Sequence, residues 1–444
     1  LAIRESLPEK IVNHRKTLEN SSITTLVVTF CWLSIFAEGY DLGVYGAVLP
    51  ALLADKVWSL TPAAAGLIGS FTLFGMMIGN ALGGLFADLI GRKKTLIYGI
   101  ILFSIMMILS TIATSPEMLG LYRFIAGIGL GGVLPTAAAL TVEYSPQTRR
   151  TFFYTVMFSG YCFGGVFAAL TSFFLLEDLG WRIMFLIGAF PLLLVPFLVK
   201  FLPESISYLM SRNRQDDAEK VANRFDIEIS SVFELEKKID NDLDPENKRP
   251  IRSLFTRGNI RATIFFSLTY FMSMLLVYGL ITWLPALMHQ AGYNLGSSIS
   301  FLLVLNLTAA FGAIFAGIAA DKWGSKLTLV IAYFTTAVCL YLISIKTSMI
   351  VTYVLIGIAG LGTIGSTMIL SAYVLKYFEP WNRATAGGLT NGLGRIGGVV
   401  GPSLVGILMT LKLDFVWNFY AFAVVGILGA LAVFLVPKKV GKEI

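Results

Sequence analysis

The sequence predicts an all-α membrane protein: twelve transmembrane helices in two six-helix halves. Three observations carry that expectation. The composition is strongly apolar, apolar runs of spanning length recur along nearly the whole chain, and an internal repeat links one half to the other. Of the 444 residues, 56% are hydrophobic and only 14% charged, and the mean hydropathy is +0.76. A water-soluble globule of that composition would leave too much apolar surface uncovered. A bilayer-spanning helix needs about 20 mostly apolar residues. Runs of that kind lie at 22–52, 61–87, 94–114, 116–143, 150–176, 181–202, 261–288, 297–320, 326–346, 349–377, 384–411 and 414–437. Neither a single anchor nor a signal peptide explains so many.

The long polar segment between the sixth and seventh runs divides the chain. The expected organisation is an N-terminal segment 1–21, a six-helix bundle 22–202, a central loop 203–260 with short surface helices, a second bundle 261–437 and a tail 438–444. With both termini and the central loop placed in the cytoplasm, 28 of the 34 Lys and Arg fall inside and four outside, at Lys56, Arg182, Lys346 and Lys412. That asymmetry obeys the positive-inside rule and predicts a multi-pass cell-membrane protein with cytoplasmic termini. It also accounts for the net charge of +7 without nucleic acid, for which no fold signature is present. Cys31, Cys162 and Cys339 sit in apolar runs with no metal or disulfide spacing, so no metal is expected.

The halves echo each other. "GNALGGLFADLIGRKKTL" (79–96) aligns without a gap on "GAIFAGIAADKWGSKLTL" (312–329), matching Gly84 to Gly317, Asp88 to Asp321, Gly91 to Gly324 and Lys93 to Lys326 at an offset of 233. "SPQTRRT" and "EPWNRAT" pair Pro146 with Pro380 and Arg149 with Arg383. Charged loop residues match as well as the glycines, which argues against chance similarity of Gly-rich helices. Duplicated halves are a transporter architecture, with a substrate site near the midplane where the repeats meet.

These motifs identify a resemblance to the major facilitator superfamily over essentially the whole chain. "GGLFADLIGRKKT" is similar to its signature between helices 2 and 3, "DKWGSK" to the degraded copy between helices 8 and 9, and "RFIAGIGLGG" (123–132) to its helix 4 signature. "LPESISYL" (202–209) resembles the loop after helix 6 in sugar and organic-acid branches, although Ile206 and Ser207 replace the commoner Pro-Arg. "EGYDLGVYGAVLPAL" resembles the helix 1 signature of the aromatic acid:proton symporters, with Glu38 where relatives commonly have Asp, and "NGLGRIGGVVGP" (391–402) also looks like that family. "GYCFGGVFAAL" (160–170) lacks the Gly-Pro ending typical of antiporters. The resemblance implies the major facilitator fold and a symporter that imports an aromatic carboxylate, such as benzoate or a hydroxybenzoate, together with protons. Nicotinate, a sugar or another organic acid stands as the alternative cargo, and proton-antiporting export as a remoter one. A receptor or channel is disfavoured by the repeat.

Only Glu38, Asp41, Arg123 and Arg395 carry charge deep inside the predicted spans. Each such residue costs roughly 2.5–3.5 kcal/mol on insertion scales, so it normally faces the bundle interior or a water cavity and finds a partner. Glu38 and Asp41 are three residues apart, on one face of helix 1. Close carboxylates repel when both are ionised and burial disfavours the charged form, so at least one can hold a proton near neutral pH. The resemblance implies Arg123 as counter-ion of Asp41, either as a switch that releases Asp41 to be protonated or as a static bridge between helices 1 and 4. Arg395 lacks an obvious acid in helices 7 to 12. Its planar fork suits a substrate carboxylate, or alternatively the free carbonyls of a Gly-rich helix.

Further substrate contacts are expected from Asp41 and from side chains on helices the superfamily uses to line its cavity: Tyr45, Phe158, Tyr161, Tyr270, Tyr278, Trp283 and Tyr373, each of which could equally be packing. Asn306 and Asn391 are polar candidates, with helix-to-helix hydrogen bonding as the alternative. Gate residues are Asp88, Arg92, Glu143, Arg149, Asp321 and Arg383, with Glu143 pairing to Arg92. His14 and His289 are isolated and no nucleophile or P-loop pattern exists, so neither an enzyme nor ATP-driven transport is expected, and no cofactor. The expected partners are the small aromatic acid, protons and the bilayer, with the chain acting as a monomer.

Overall fold

The computed structural model describes residues 22–225, 250–256, 258–345, 348–379, 381–411 and 413–437. The expected terminal segments 1–21 and 438–444, much of the central loop, and Lys346, Pro380 and Lys412 lie outside the described residues. The first four helices are α1, Ser22–Ala54; α2, Pro62–Ile90; α3, Arg92–Thr111; and α4, Pro116–Glu143. The helical run Arg150–Ile187 is two helices, because Gly180 inside it has φ 75° and ψ 170°. Only glycine adopts that backbone freely. Helix α5 therefore covers 150–179, and α6 begins at 181.

The sixth span departs from the continuous helix the sequence predicts. It passes through a 3-10 turn, Phe190–Leu194, before Val195–Phe201. Pro191 and Pro196 lack the N–H that an α-helical ladder needs, which explains the break. The second half contains α7, Ile260–Gln290; α8, Leu295–Trp323; α9, Ser325–Ile343; α10, Met349–Tyr377; α11, Arg383–Thr410; and α12, Val416–Leu435. Among the described residues eleven runs are long and apolar enough to cross a bilayer, and division at Gly180 makes twelve spans. Between the halves lie short helices Ile206–Ser211, Gln215–Phe225 and Pro250–Leu254.

Local signals set several boundaries. Thr61, Ser115, Asn294 and Ser348 each accept a hydrogen bond from the backbone N–H three residues on, capping α2, α4, α8 and α10. The repeated glycines Gly91 (φ 101°) and Gly324 (φ 84°) are the single residues joining α2 to α3 and α8 to α9. A positive φ with no spare residue explains why both copies of the motif hold glycine there.

The halves meet where α2 packs on α11, α5 on α8 and α1 on α7. These contacts concentrate at the end of the bundle where α1 finishes and α2 begins. There Ser70 Oγ donates to the Val399 carbonyl at 2.5 Å, Thr410 Oγ1 accepts from the Ala63 N–H at 3.1 Å, and Gly46 lies against the Ile281 carbonyl. Towards the other end, where α2 finishes and α11 begins, a Cβ added to Gly84 of α2, or to Gly388 or Gly392 of α11, would meet nothing within 4 Å. The two halves are sealed on one side and parted on the other.

Candidate substrate and proton site

Helix α1 approaches its neighbours closely enough to deliver its two acids to different partners. Gly39 packs on the Tyr161 carbonyl and Gly43 on Gly165, both in α5, so a Cβ at either position would collide with backbone or meet it at the limit of contact. Asp41 turns into the N-terminal half and pairs with Arg123 of α4. The pair is almost fully enclosed, Asp41 being 0% and Arg123 1% exposed. A second guanidinium nitrogen donates to the Asp41 carbonyl at 3.3 Å. The rings of Tyr45 and Phe185 face the guanidinium carbon at 5.4 and 5.7 Å. Burial in so apolar a cage makes the pair costly to separate. Yet Asp41 Oδ2 and Arg123 Nε find no hydrogen-bond partner among the described residues.

Glu38, 3% exposed, looks towards the other half. The Arg395 charge on α11 acts on it, and on Tyr278 of α7, while Tyr161 of α5 neighbours both Tyr278 and Glu38. No ion pair within 4.0 Å joins Glu38 to a described residue, and its Oε2 is buried without a partner. Four side chains from α1, α5, α7 and α11 thus converge where the halves part. Asn391 lies four residues before Arg395, on the same face of α11, and its buried Oδ1 is likewise unpartnered.

An aromatic wall continues from this cluster along α5. Tyr154 and Phe158 stack with ring centroids 6.4 Å apart and 14° between planes, and Phe158 and Tyr161 at 6.0 Å and 16°. Tyr154, 37% exposed and within electrostatic reach of Tyr270 in the other half, was not expected from the sequence. Its signal was the i, i+4, i+7 spacing of 154, 158 and 161, which places all three rings on one helix face.

Several expected wall residues face elsewhere. Tyr45 donates its hydroxyl to the Ala65 carbonyl at 2.6 Å, and the Trp283 indole donates to the Pro402 carbonyl at 2.8 Å. Tyr373 packs edge-on against Phe266 at 5.0 Å. All three are buried within or between helices of the bundles, and so is Asp41, which meets Arg123 rather than the gap. In this structure none of these four faces the gap: each helix is apolar around most of its circumference, so residue type alone does not tell which side does. Tyr270, also buried, shares a 2.7 Å hydrogen bond with Ser371 of α10 and adjoins Gly394 of α11. Asn306 donates to Leu302 of its own helix at 2.9 Å and presses its carbonyl oxygen against Gly165, bridging α8 and α5 by packing.

The expected gate charges separate into two groups. Arg92 pairs with Glu143 at 2.5 Å, and Glu143 also accepts from Ser205 Oγ at 2.7 Å and the Ser207 N–H at 3.1 Å. Glu204 accepts from the Lys93 N–H at 2.9 Å. The Pro-Glu-Ser loop therefore braces α3 and α4 inside one half. Asp88, Arg149, Asp321 and Arg383 are exposed, and none closes an ion pair with a described residue. That is consistent with halves parted on this face. A Cβ added to Gly84 would meet nothing here, whereas Gly83 packs on Gly132.

Comparison with known proteins agrees with this architecture. Residues 26–304 match the family model "Sugar (and other) transporter" and 296–443 match "Major Facilitator Superfamily". The chain is 37% identical to the benzoate transport protein of Acinetobacter baylyi over 96% of its own length and 93% of that protein's. It is 34% identical to the gentisate transporter of Corynebacterium glutamicum, covering 95% and 91%. An inward-open structure of the xylose transporter XylE from E. coli superposes with a TM-score of 0.78 at 18% identity, covering 94% of this chain and 98% of the other. Long matches to two aromatic acid carriers and to the superfamily's fold, with twelve spans, converge on one conclusion: the chain is a multi-pass membrane transporter, not an enzyme, and belongs to the aromatic acid carriers of the major facilitator superfamily.

Proposed function

We propose that this transporter imports an aromatic monocarboxylate of the benzoate type with protons, by alternating access, in the cell membrane. Its termini face the cytoplasm and it works as a monomer. The observation that carries this reading is the convergence of Glu38, Tyr161, Tyr278 and Arg395 from both halves beside a stacked aromatic wall. Arg395 offers a two-pronged cation for the carboxylate, and the Tyr154, Phe158, Tyr161 ladder offers flat faces for the ring. The names of the relatives, benzoate and gentisate carriers, support the same substrate class.

Asp41 and Arg123 form the coupling pair in this reading. While paired, Asp41 stays ionised; when rocking of the halves parts the pair, the freed carboxylate in an apolar cage takes a proton. The exposed gate charges Asp88, Arg149, Asp321 and Arg383 hold the cytoplasmic side shut in the alternate state.

The test is uptake into proteoliposomes under an imposed pH gradient with labelled benzoate, gentisate, nicotinate and glucose. Uphill accumulation of benzoate or gentisate, abolished by collapsing the gradient, is expected. Asp41→Asn should lose accumulation yet keep benzoate exchange. Glucose uptake without aromatic acid uptake, or gradient-driven export, refutes the proposal. A preference for nicotinate, which the 29% identical niacin transporter NiaP of Acinetobacter baylyi brings into view, would narrow the acid but keep the site.

A further inference from the structure

Glu38 has a counter-charge but no contact. Arg395 acts on it from α11, yet the two close no ion pair within 4.0 Å, and Glu38 Oε2 is enclosed without a hydrogen-bond partner among the described residues. The titratable and charged groups that face it are Asp41 one turn further along α1, Tyr161 of α5, Tyr278 of α7 and Arg395 of α11. Asp41 is already neutralised by Arg123. One guanidinium therefore serves one carboxylate across a gap between the halves, and both retain unused hydrogen-bonding capacity.

We infer that the substrate carboxylate inserts between Glu38 and Arg395, and that Glu38 takes up one proton as it does so. This rests on reading the cluster as the aromatic-acid site. Arg395 holds one carboxylate oxygen of the substrate. The other oxygen accepts a hydrogen bond from the Glu38 O–H, whose proton comes from water in the open gap. Two carboxylates that share one cation in a low-dielectric site do not both stay ionised, because their repulsion and desolvation favour a proton on one of them. The acid then becomes the donor that the substrate oxygen lacks, and the unpartnered Glu38 oxygen finds its role.

Charge balance turns this into coupling. The empty site holds Glu38 as an anion and Arg395 as a cation, with no net charge. The loaded site holds neutral Glu38, cationic Arg395 and the anionic substrate, again with no net charge. Substrate without the proton, or the proton without substrate, leaves one uncompensated charge to be enclosed when the halves rock, and that enclosure is strongly unfavourable. Slippage in either half-loaded form is thus suppressed by the site itself. Asp41, caged with Arg123, takes its proton in the separate rocking step and none as substrate binds, so accumulation needs both acids while binding-linked proton uptake needs Glu38 alone.

The experiment is isothermal titration calorimetry of benzoate binding to the detergent-solubilised full-length protein, at pH of about 6, 7 and 8 in buffers of different ionisation enthalpy. At pH of about 8 the wild type should take up close to one proton per benzoate and lose affinity by about tenfold per pH unit, with both uptake and slope shrinking towards pH of about 6. Glu38→Gln should bind benzoate with no proton uptake and a flat pH profile, and Glu38→Asp should restore both. Benzoate binding by the wild type without proton uptake overturns the inference alone. So does a pH slope that survives in Glu38→Gln and disappears in Asp41→Asn. No binding of benzoate, gentisate or nicotinate to folded wild type removes the substrate reading, and the inference with it.

Discussion

Substituting Gly46→Ala should drive the carrier towards its outward-open state. Gly46 lies where α1 crosses α7 on the sealed side, and an added Cβ would fall on the Ile281 carbonyl oxygen and sit 3.2 Å from that of Thr282. Both obstacles are backbone atoms, so no side-chain rotation relieves them, and the helices must part locally. Overpacking of this kind costs about 1–3 kcal/mol. In the outward-open state of the proposed cycle the halves part at this crossing, so the cost should fall on one state only and shift the equilibrium by roughly 5- to 150-fold. A cysteine at Thr282, buried behind the seal at 6% exposure, reports the shift through its labelling rate with a water-soluble maleimide. The native Cys31, Cys162 and Cys339 are buried and contribute little background. Outer-side labelling should accelerate in Gly46→Ala and not in Gly84→Ala, whose Cβ meets nothing in this state. A folded Gly46→Ala protein with the parental labelling rate would refute the reasoning.

The other expectations concern the site. Arg395→Lys keeps the charge but loses the planar fork, so benzoate affinity should fall by tenfold or more in calorimetry, on the order of the difference between one charged hydrogen bond and two. Tyr154→Ala and Phe158→Ala each remove one stacked ring, worth about 0.5–1.5 kcal/mol, and should weaken benzoate binding by about 2- to 12-fold while leaving thermal stability nearly unchanged. Arg123→Met leaves Asp41 buried and unpaired, a loss of about 3–5 kcal/mol. The double variant Asp41→Leu with Arg123→Met should recover much of that in thermal unfolding, and a double variant less stable than the single would count against the pair as described.

What the sequence discloses follows from what is scarce in it. Four charges within the spans stand out against an apolar background, and the Gly91 and Gly324 copies announce a turn that the backbone confirms. The partner of Glu38 does not stand out, because Arg395 lies 357 residues away on the other half, and nothing local ties the two together. Aromatic residues pose the opposite difficulty. At 13% of the chain they are too common to be diagnostic, and in helices buried on several sides no polar face marks the gap. Tyr45 and Trp283 therefore read as wall residues until their hydroxyl and indole are seen bonded to helix carbonyls. The break in α6 was written in Pro191 and Pro196, but proline is common enough in membrane helices that the pair does not by itself separate a kink from a continuous span.

The repeat also shows how the two halves divide their labour. At the offset of 233, Asp41 corresponds to Met274, Glu38 to Phe271 and Arg123 to Ile356, while Arg395 corresponds to Cys162. Every one of these four intramembrane charges has a neutral counterpart, although Asp88 and Lys93 of the loop motif kept theirs in Asp321 and Lys326. Two acids and one cation lie in the first half and one cation in the second. The first half is then internally paired once, through Asp41 and Arg123, and carries one acid to spare. That spare acid and the second half's cation face each other only where the halves meet, so their interaction depends on how far the halves have rocked. A symmetric distribution would have satisfied each half internally and left the gap without a field. Among the intramembrane charges of the described residues, the asymmetry leaves the Glu38 and Arg395 couple at the boundary between the halves, the surface that opens and closes in the proposed cycle.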